Sequence, residues 1–263
     1  MSEIITLQSG IFSAQIEKGE LISFKKEDTE FIHQKGNKGW QKSDDEMFPV
    51  IGPTAKNNFR VATKNGEAIL DQHGHLRELD YQLVSSYESS AVFKKEYTKN
   101  EKVNNSKYPN KSTEEFLHWP YDVNFEKHFS LNENILTVVF SIESEKNMPF
   151  MLGYHPAFLL SDSGSEIIST AEKNISINDV MQEGSNAFPV LNTDVITLKN
   201  IYKNDVEIST KGFHNFMLWT EVNNMICIEP ITHYTSYSDQ KYSEENMFLS
   251  QGKNSFAVAI KIV

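Results

Sequence analysis

An all-β chain folded as an antiparallel β-sandwich is what this sequence predicts, and three observations carry the prediction. Apolar and polar residues alternate with a period of two along much of the chain, the period at which successive side chains of an extended backbone point to opposite faces. Short turn signals separate these runs. Helical periodicity is hard to find, while aromatic residues make up 11% of the composition and β-branched residues are plentiful, a mixture that suits two packed sheets.

The strands follow in order. Phe12, Ala14 and Ile16 alternate, then Tyr121, Val123 and Phe125, then Leu136, Val138, Phe140 and Ile142, then Met225 to Ile228, and finally Phe256, Val258, Ile260 and Ile262. Lys18-Gly19-Glu20, Lys64-Asn65-Gly66-Glu67 and Leu131-Asn132-Glu133-Asn134 are suited to hairpin connections, so a meander is expected. The polar, weakly patterned stretch from Lys94 to Glu115 is expected to extend strand ends into a mobile loop rather than to divide domains. No repeat of constant period appears, which disfavours a solenoid or propeller. At 263 residues the chain can bury a large core, and one domain over residues 1–263 is expected.

Composition excludes several classes of function. A net charge of -11 and a pI near 5.2 argue against a nucleic-acid surface, which needs clustered Lys and Arg in excess of local acids. The single cysteine, Cys227, permits no internal disulfide framework and sits in an apolar run where a buried thiol is ordinary. Met1 to Phe24 lacks a basic start followed by an unbroken apolar stretch, and no segment approaches the length of a membrane span, so a soluble, cytoplasmic protein is expected.

Three scattered segments supply acid/base chemistry: His73-Gly74-His75-Leu76-Arg77, Gly153-Tyr154-His155-Pro156-Ala157-Phe158 and Cys227-Ile228-Glu229-Pro230. Imidazole and carboxylate titrate near enough to neutrality to trade protons with a hydroxyl, and the chain carries no nucleophile elbow, phosphate loop or thiolate motif to suggest other chemistry. If the first segment is a strand, His73, His75 and Arg77 share one face, lining a concave site or facing solvent. Gly74 would let a backbone or a ligand approach closely. Arg77 is one of only two arginines, the other being Arg60, and either grips a ligand or pairs with Glu78 or Asp80. His155 stands in an apolar setting where Pro156 fixes the local backbone; it is either an anchored core imidazole or an aimed one. Glu229 ends an apolar strand that Pro230 is expected to stop, and partial burial there would raise its pKa and improve it as a proton acceptor. His73-Gly74-His75 with Asp80 also has the form in which cupin barrels open a metal centre, but His155 meets the companion half only loosely, so no metal is expected.

Taken in order, these pieces resemble the aldose 1-epimerase (galactose mutarotase-like) superfamily, particularly its LacX-like and hexose-phosphate epimerase-like branches. Met47-Phe48-Pro49-Val50-Ile51-Gly52-Pro53 is similar to the family's Phe-Pro-rich segment, and Gln72 to Arg77 to its His-Gly-Phe-Ala-Arg motif. Gly153 to Phe158 resembles the His-Pro-x-Phe motif and Cys227 to Pro230 the Ile-Glu-Pro motif, with Trp119-Pro120-Tyr121 between them. The resemblance implies a large twisted β-sandwich of the galactose mutarotase-like supersandwich type, a cleft on one sheet, no cofactor, and interconversion of α and β sugar anomers. It implies Glu229 as general base, His155 as general acid and His73 assisting at the ring oxygen, with Arg77 and His75 as substrate contacts. Where many relatives carry Gly-Arg, this chain reads Gly52-Pro53, leaving Lys56 or Arg60 as the candidate replacement. His75-Leu76 likewise stands in place of Phe-Ala. With so few arginines, a neutral sugar is expected over a sugar phosphate. Two other readings stand beside this one: a non-catalytic carbohydrate-binding module using Trp40, Trp119, Trp219 and Tyr234 as stacking surfaces, and a cupin-like metal enzyme.

Overall fold

In a computed structural model of the protein, residues 4–263 are described. Residues 1–3, which begin the expected domain and the Met1 to Phe24 alternation, lie outside the described residues. Every strand pairing is antiparallel among them. A nine-stranded sheet forms one layer, with Val123–Asn132, Ile135–Glu143 and Lys253–Ile262 at its centre. A six-stranded sheet packs against it, built from Glu46–Met47, Gly153–Tyr154, Ala157–Leu159, Phe188–Leu191, Asn215–Trp219 and Met225–Ile231. A four-stranded sheet made from residues 4–30 adds a further layer. This is the all-β antiparallel sandwich that the alternation predicts.

The predicted alternations fall in strands with their apolar members buried, Ala14 and Ile16, Val123 and Phe125, Leu136 to Ile142, and Phe256 to Ile262, except that Phe12 is half-buried and Tyr121 precedes its strand. The three turn signals each join a hairpin. One helix longer than a single 3₁₀ turn occurs among the described residues, Ile177–Glu183, where the Ser176 hydroxyl accepts from the Asp179 amide and the Asp179 carboxylate answers the Ser176 amide. Among the described residues no helix is long and apolar enough to cross a membrane. The polar stretch from Lys94 to Glu115 is more structured than expected: Val103–Asn104 pairs with Phe116–Leu117, and Asn105 and Lys107 both bond Asp71.

Between the two large sheets the contacts are aromatic. Phe48 meets Phe125 at 5.9 Å between ring centroids, and Phe140 meets Tyr154 at 5.1 Å. Each fully buried phenyl contributes roughly 1.5–3 kcal/mol. Charged side chains cross the same space. Lys127 bonds Asp44 at 2.8 Å and Lys95 bonds Glu46 at 2.5 Å, all four being buried, and the Tyr154 hydroxyl donates to Asp44 at 2.7 Å. Burial pushes Asp44 up to about 6, against the lowering effect of Lys127.

The segment around Gly74 departs from the expected strand. His73 and Gly74 have φ of 72° and 70°, and a 3₁₀ turn follows over Leu76–Glu78. A Cβ at Gly74 would lie 2.0 Å from the Phe48 carbonyl oxygen, so the close approach that glycine permits is made by backbone. The left-handed pair also destroys the two-residue period. His73 is left partly exposed, while His75 turns inward, fully buried against Tyr97 at 4.2 Å between ring centroids. The expectation that His75 contacts substrate is therefore corrected: neither ring nitrogen has a partner, and the ring belongs to the core.

Two predictions follow from these buried groups. Removing Lys127 leaves Asp44 buried without its cation, so Lys127→Met is expected to lose about 3–5 kcal/mol in chemical denaturation, with part recovered in Lys127→Met/Asp44→Asn. Burial, with Lys95 and His118 adding to it, holds His75 at about 3. An unfolded imidazole titrates near 6.5, so the unfolded chain takes up a proton that the folded chain refuses as pH falls from about 6.5 to about 3. The stability that His75 contributes is complete above that window and lost through it. His75→Phe keeps the ring contact and needs no hydrogen bond; its unfolding free energy should fall less steeply with acidification, by about 1.4 kcal/mol per pH unit inside the window.

Candidate active site

The six-stranded sheet sets out its polar groups in one row. The register Gly153↔Ile231 and Ala157↔Cys227 puts His155 opposite Glu229, while Met217 is paired with Glu229 on the other side. His155 and Asp45 exchange both backbone hydrogen bonds, so Asp45 stands beyond His155 in the same row. The strand carrying Glu229 does not stop at Pro230 but runs to Ile231. The missing Pro230 N–H falls on the side where the ladder is already interrupted at His155-Pro156, so no pairing is sacrificed.

Above this row lies a cavity of about 510 Å³ whose lining includes His73, Arg77, His155 and Glu229. Four of the five residues singled out in the sequence are thus brought together, and His75 is not among them. His155 Nε2 lies 3.4 Å from Glu229 Oε1. The His73 and His155 rings meet edge-on at 5.6 Å between centroids. Arg77 pairs at 2.9 Å with Asp45, and not with the Glu78 or Asp80 that its sequence neighbourhood suggests.

The protonation states follow from burial. Burial alone pushes Glu229 well above the ordinary carboxylate range. Burial also holds His155 at about 3, although Asp45 opposes this. His73 is held well below its usual value by burial and by the charges of Arg77 and His155. For Glu229 and His155 both directions favour the uncharged forms, with a proton on Glu229 and His155 neutral. The His73 Nδ1–H donates to the Ile51 carbonyl at 2.6 Å, because a carbonyl can only accept. A neutral His73 therefore presents Nε2 as a lone pair. Asp45, whose burial is outweighed by Arg77, Lys42 and Lys95, stays below its usual value and anionic.

Apolar walls complete the cavity. Trp40 lies 4.3 Å from the His155 ring with a 31° tilt, and Trp219 lies 6.3 Å away on the same side as Met217 and Met225. Of the four aromatics named as stacking surfaces, Trp40 and Trp219 line the cavity; Trp119 is buried against Tyr121, and Tyr234 bonds the carbonyls of Asn186 and Ala187. Gln72, Lys111 and Tyr237 form part of the rim, with the Tyr237 hydroxyl donating to Gln72. Neither Lys56 nor Arg60 replaces the guanidinium expected near Pro53, since neither lines the cavity. Lys56 bonds the Ser238 carbonyl, and Arg60 pairs with Glu67 and Glu114. Asp45 and Lys111 are contributors the sequence reading did not single out. Asp45 lies in a run of three acids whose separate directions only the sheet reveals, and Lys111 lies in a stretch without periodicity.

Solved structures share this architecture. A galactose mutarotase-like protein from Lactobacillus casei superposes with a TM-score of 0.78 at 16% identity, over 98% of this chain and 99% of that one. A galactose mutarotase related enzyme from Lactobacillus acidophilus gives 0.75 at 18% identity, over 99% and 97%. A galactose mutarotase-like protein from Clostridium acetobutylicum gives 0.67 at 11%, over 100% and 95%. At these identities the likeness is one of fold. A search of curated proteins returns no match. The aldose 1-epimerase family model matches residues 3–234, which is most of the sequence, and on that match the chain belongs to the aldose 1-epimerase family.

Proposed function

We propose that the protein is a cofactor-independent mutarotase that interconverts the α and β anomers of a neutral hexose. The observation that carries the reading is Glu229, a buried carboxyl that lies 3.4 Å from His155 at the floor of a cavity of about 510 Å³. That volume falls in the range of small-molecule sites, about 300–1,000 Å³.

Anomer exchange needs a base at the anomeric hydroxyl and an acid at the ring oxygen, and the pair provides both once the Glu229 proton has passed to His155, a minor arrangement that turnover draws on. With that proton on His155, Glu229 is a carboxylate and His155 an imidazolium. Glu229 takes the anomeric hydroxyl proton, the bond between the anomeric carbon and the ring oxygen breaks, and His155 delivers its proton to that oxygen. The open-chain aldehyde turns about its first carbon–carbon bond. Reclosure returns the ring-oxygen proton to His155 and the carboxyl proton to the new anomeric oxygen, so the pair ends as it began. His73 presents a lone pair rather than a donor, so it fits as an acceptor for a sugar hydroxyl and not as a donor to the ring oxygen. Trp40 and Trp219 supply apolar surface for a sugar face. A neutral sugar suits a cavity whose guanidinium is engaged by Asp45 and whose remaining lining cation is Lys111 at the rim. The acidic chain with its one buried thiol fits a cytoplasmic enzyme of carbohydrate metabolism.

Polarimetry on freshly dissolved α-anomers of several aldoses tests this. Glu229→Gln and His155→Gln should each lower kcat by about 10²–10⁴-fold, the usual contribution of a positioned acid or base. No acceleration by the native protein with any sugar, or full activity in Glu229→Gln, overturns the reading; sugar binding that survives loss of both histidines would favour a binding module instead. Arg77→Lys should act differently. A lysine cannot hold Asp45 and present a planar fork to hydroxyls together, so KM is expected to rise roughly tenfold while kcat changes less.

A further inference from the structure

Among the buried carboxyl groups, Asp44, Asp45, Glu46 and Asp71 each have a lysine or arginine within ion-pair distance, Glu166 accepts from the Ser161 amide, and Glu229 has His155. A third group completes its surroundings. Met225, Cys227 and Glu229 alternate onto one face of the strand Met225–Ile231, and Cys227 packs with Ala157 and Met225 under the cavity walls Trp40 and Trp219. The Cys227 sulfur, a ring nitrogen of His155 and a carboxylate oxygen of Glu229 lie within 4.8 Å of one another, and all three residues are buried. His155 is 7% exposed, and its Nδ1 has no hydrogen-bond partner.

We propose that His155, Cys227 and Glu229 form a binding site for one thiophilic divalent cation, of the Zn²⁺ type, at the floor of the cavity. One imidazole, one thiolate and one carboxylate are a donor set zinc accepts, with bonds of about 2.0–2.3 Å and a fourth position left open toward the cavity. The 3.4 Å separation of His155 and Glu229 is already that of two ligands on one tetrahedral ion. Rotation of the Cys227 and Glu229 side chains closes the rest. Binding releases the Cys227 thiol proton and the Glu229 carboxyl proton to solvent and leaves a dication balanced by two anionic ligands, a neutral unit that burial favours. Magnesium, which needs several oxygen ligands in octahedral array, is excluded by the same donors. The ion occupies the groups assigned above to proton transfer, so it excludes turnover; this last consequence rests on the mutarotase reading.

The test uses the full chain without a histidine tag. Titration with Co²⁺ should give a thiolate-to-metal charge-transfer band at one equivalent, and because Cys227 is the only cysteine the band reports that residue alone. Zn²⁺ should displace Co²⁺ and bind with one-to-one stoichiometry by calorimetry, while Mg²⁺ gives no heat. Cys227→Ala and Cys227→Ser should abolish the band and weaken Zn²⁺ binding by roughly a hundredfold or more while keeping the mutarotation rate without metal. Zn²⁺ should inhibit mutarotation by the native protein and not by either variant. Absence of the cobalt band, or Zn²⁺ binding undiminished in both variants, overturns the site. A protein that binds zinc as described but never accelerates mutarotation refutes the catalytic reading and leaves the metal site standing.

Discussion

The site depends on a pair of ion pairs that lie beneath it. Lys127 and Lys95 project from the nine-stranded sheet and hold Asp44 and Glu46 of the opposing layer, all four out of contact with water. Charges so placed cost several kcal/mol each to desolvate, and their mutual attraction offsets that cost only in good geometry. Their contribution is positional more than energetic. In the extended backbone of Asp44-Asp45-Glu46, fixing the first and third side chains toward the core turns the second the opposite way. Asp45 is thereby presented to Arg77, and its backbone to His155. The buried lysines thus aim the residues around the cavity without lining it.

The same frame divides the carboxyl groups into two populations. Where a carboxylate is needed as a fixed charge, a cation stands against it, and Asp45 stays ionised because Arg77, Lys42 and Lys95 outweigh its burial. Glu229 has no such cation, and burial raises its pKa. A proton on Glu229 is consequently easy to gain and easy to pass on. Neutral surroundings suit a group that must change charge during a reaction; a strong ion pair would hold it in one state. Arg77 lies near enough to depress both histidines while its own charge is taken up by Asp45. The resting site therefore holds Glu229 and both histidines in their uncharged forms.

Much of this was legible in the chain and some was not, for reasons that are physical. Strands such as Leu136 to Ile142 announce themselves because one face is buried and the period is two. His155 and Glu229 were legible as unusual because each interrupts or ends an apolar run next to proline, and a polar group in such a place needs a purpose. His75 misled because the strand period was carried across Gly74, and a left-handed pair at His73 and Gly74 reverses the sense in which side chains alternate. Asp45 was hidden for a related reason. Three consecutive acids carry no sign of direction in themselves, and only lysines some fifty to eighty positions away, Lys95 and Lys127, distinguish the inward pair from the outward one.

The asymmetry between His73 and His155 extends this point from position to chemistry. Both rings are neutral, and both border the cavity, so composition and location do not separate their roles. Their second nitrogens do. In His73 the Nδ1–H is committed to the Ile51 carbonyl, which fixes the tautomer and leaves an acceptor facing outward. In His155 the Nδ1 has no partner, while Nε2 lies against a protonatable carboxyl, so its proton can move. One imidazole is locked and the other is free, and only the free one can both give and take a proton in the same cycle. The division of labour thus arises from a single backbone carbonyl, that of Ile51, which the turn at His73-Gly74 brings within reach.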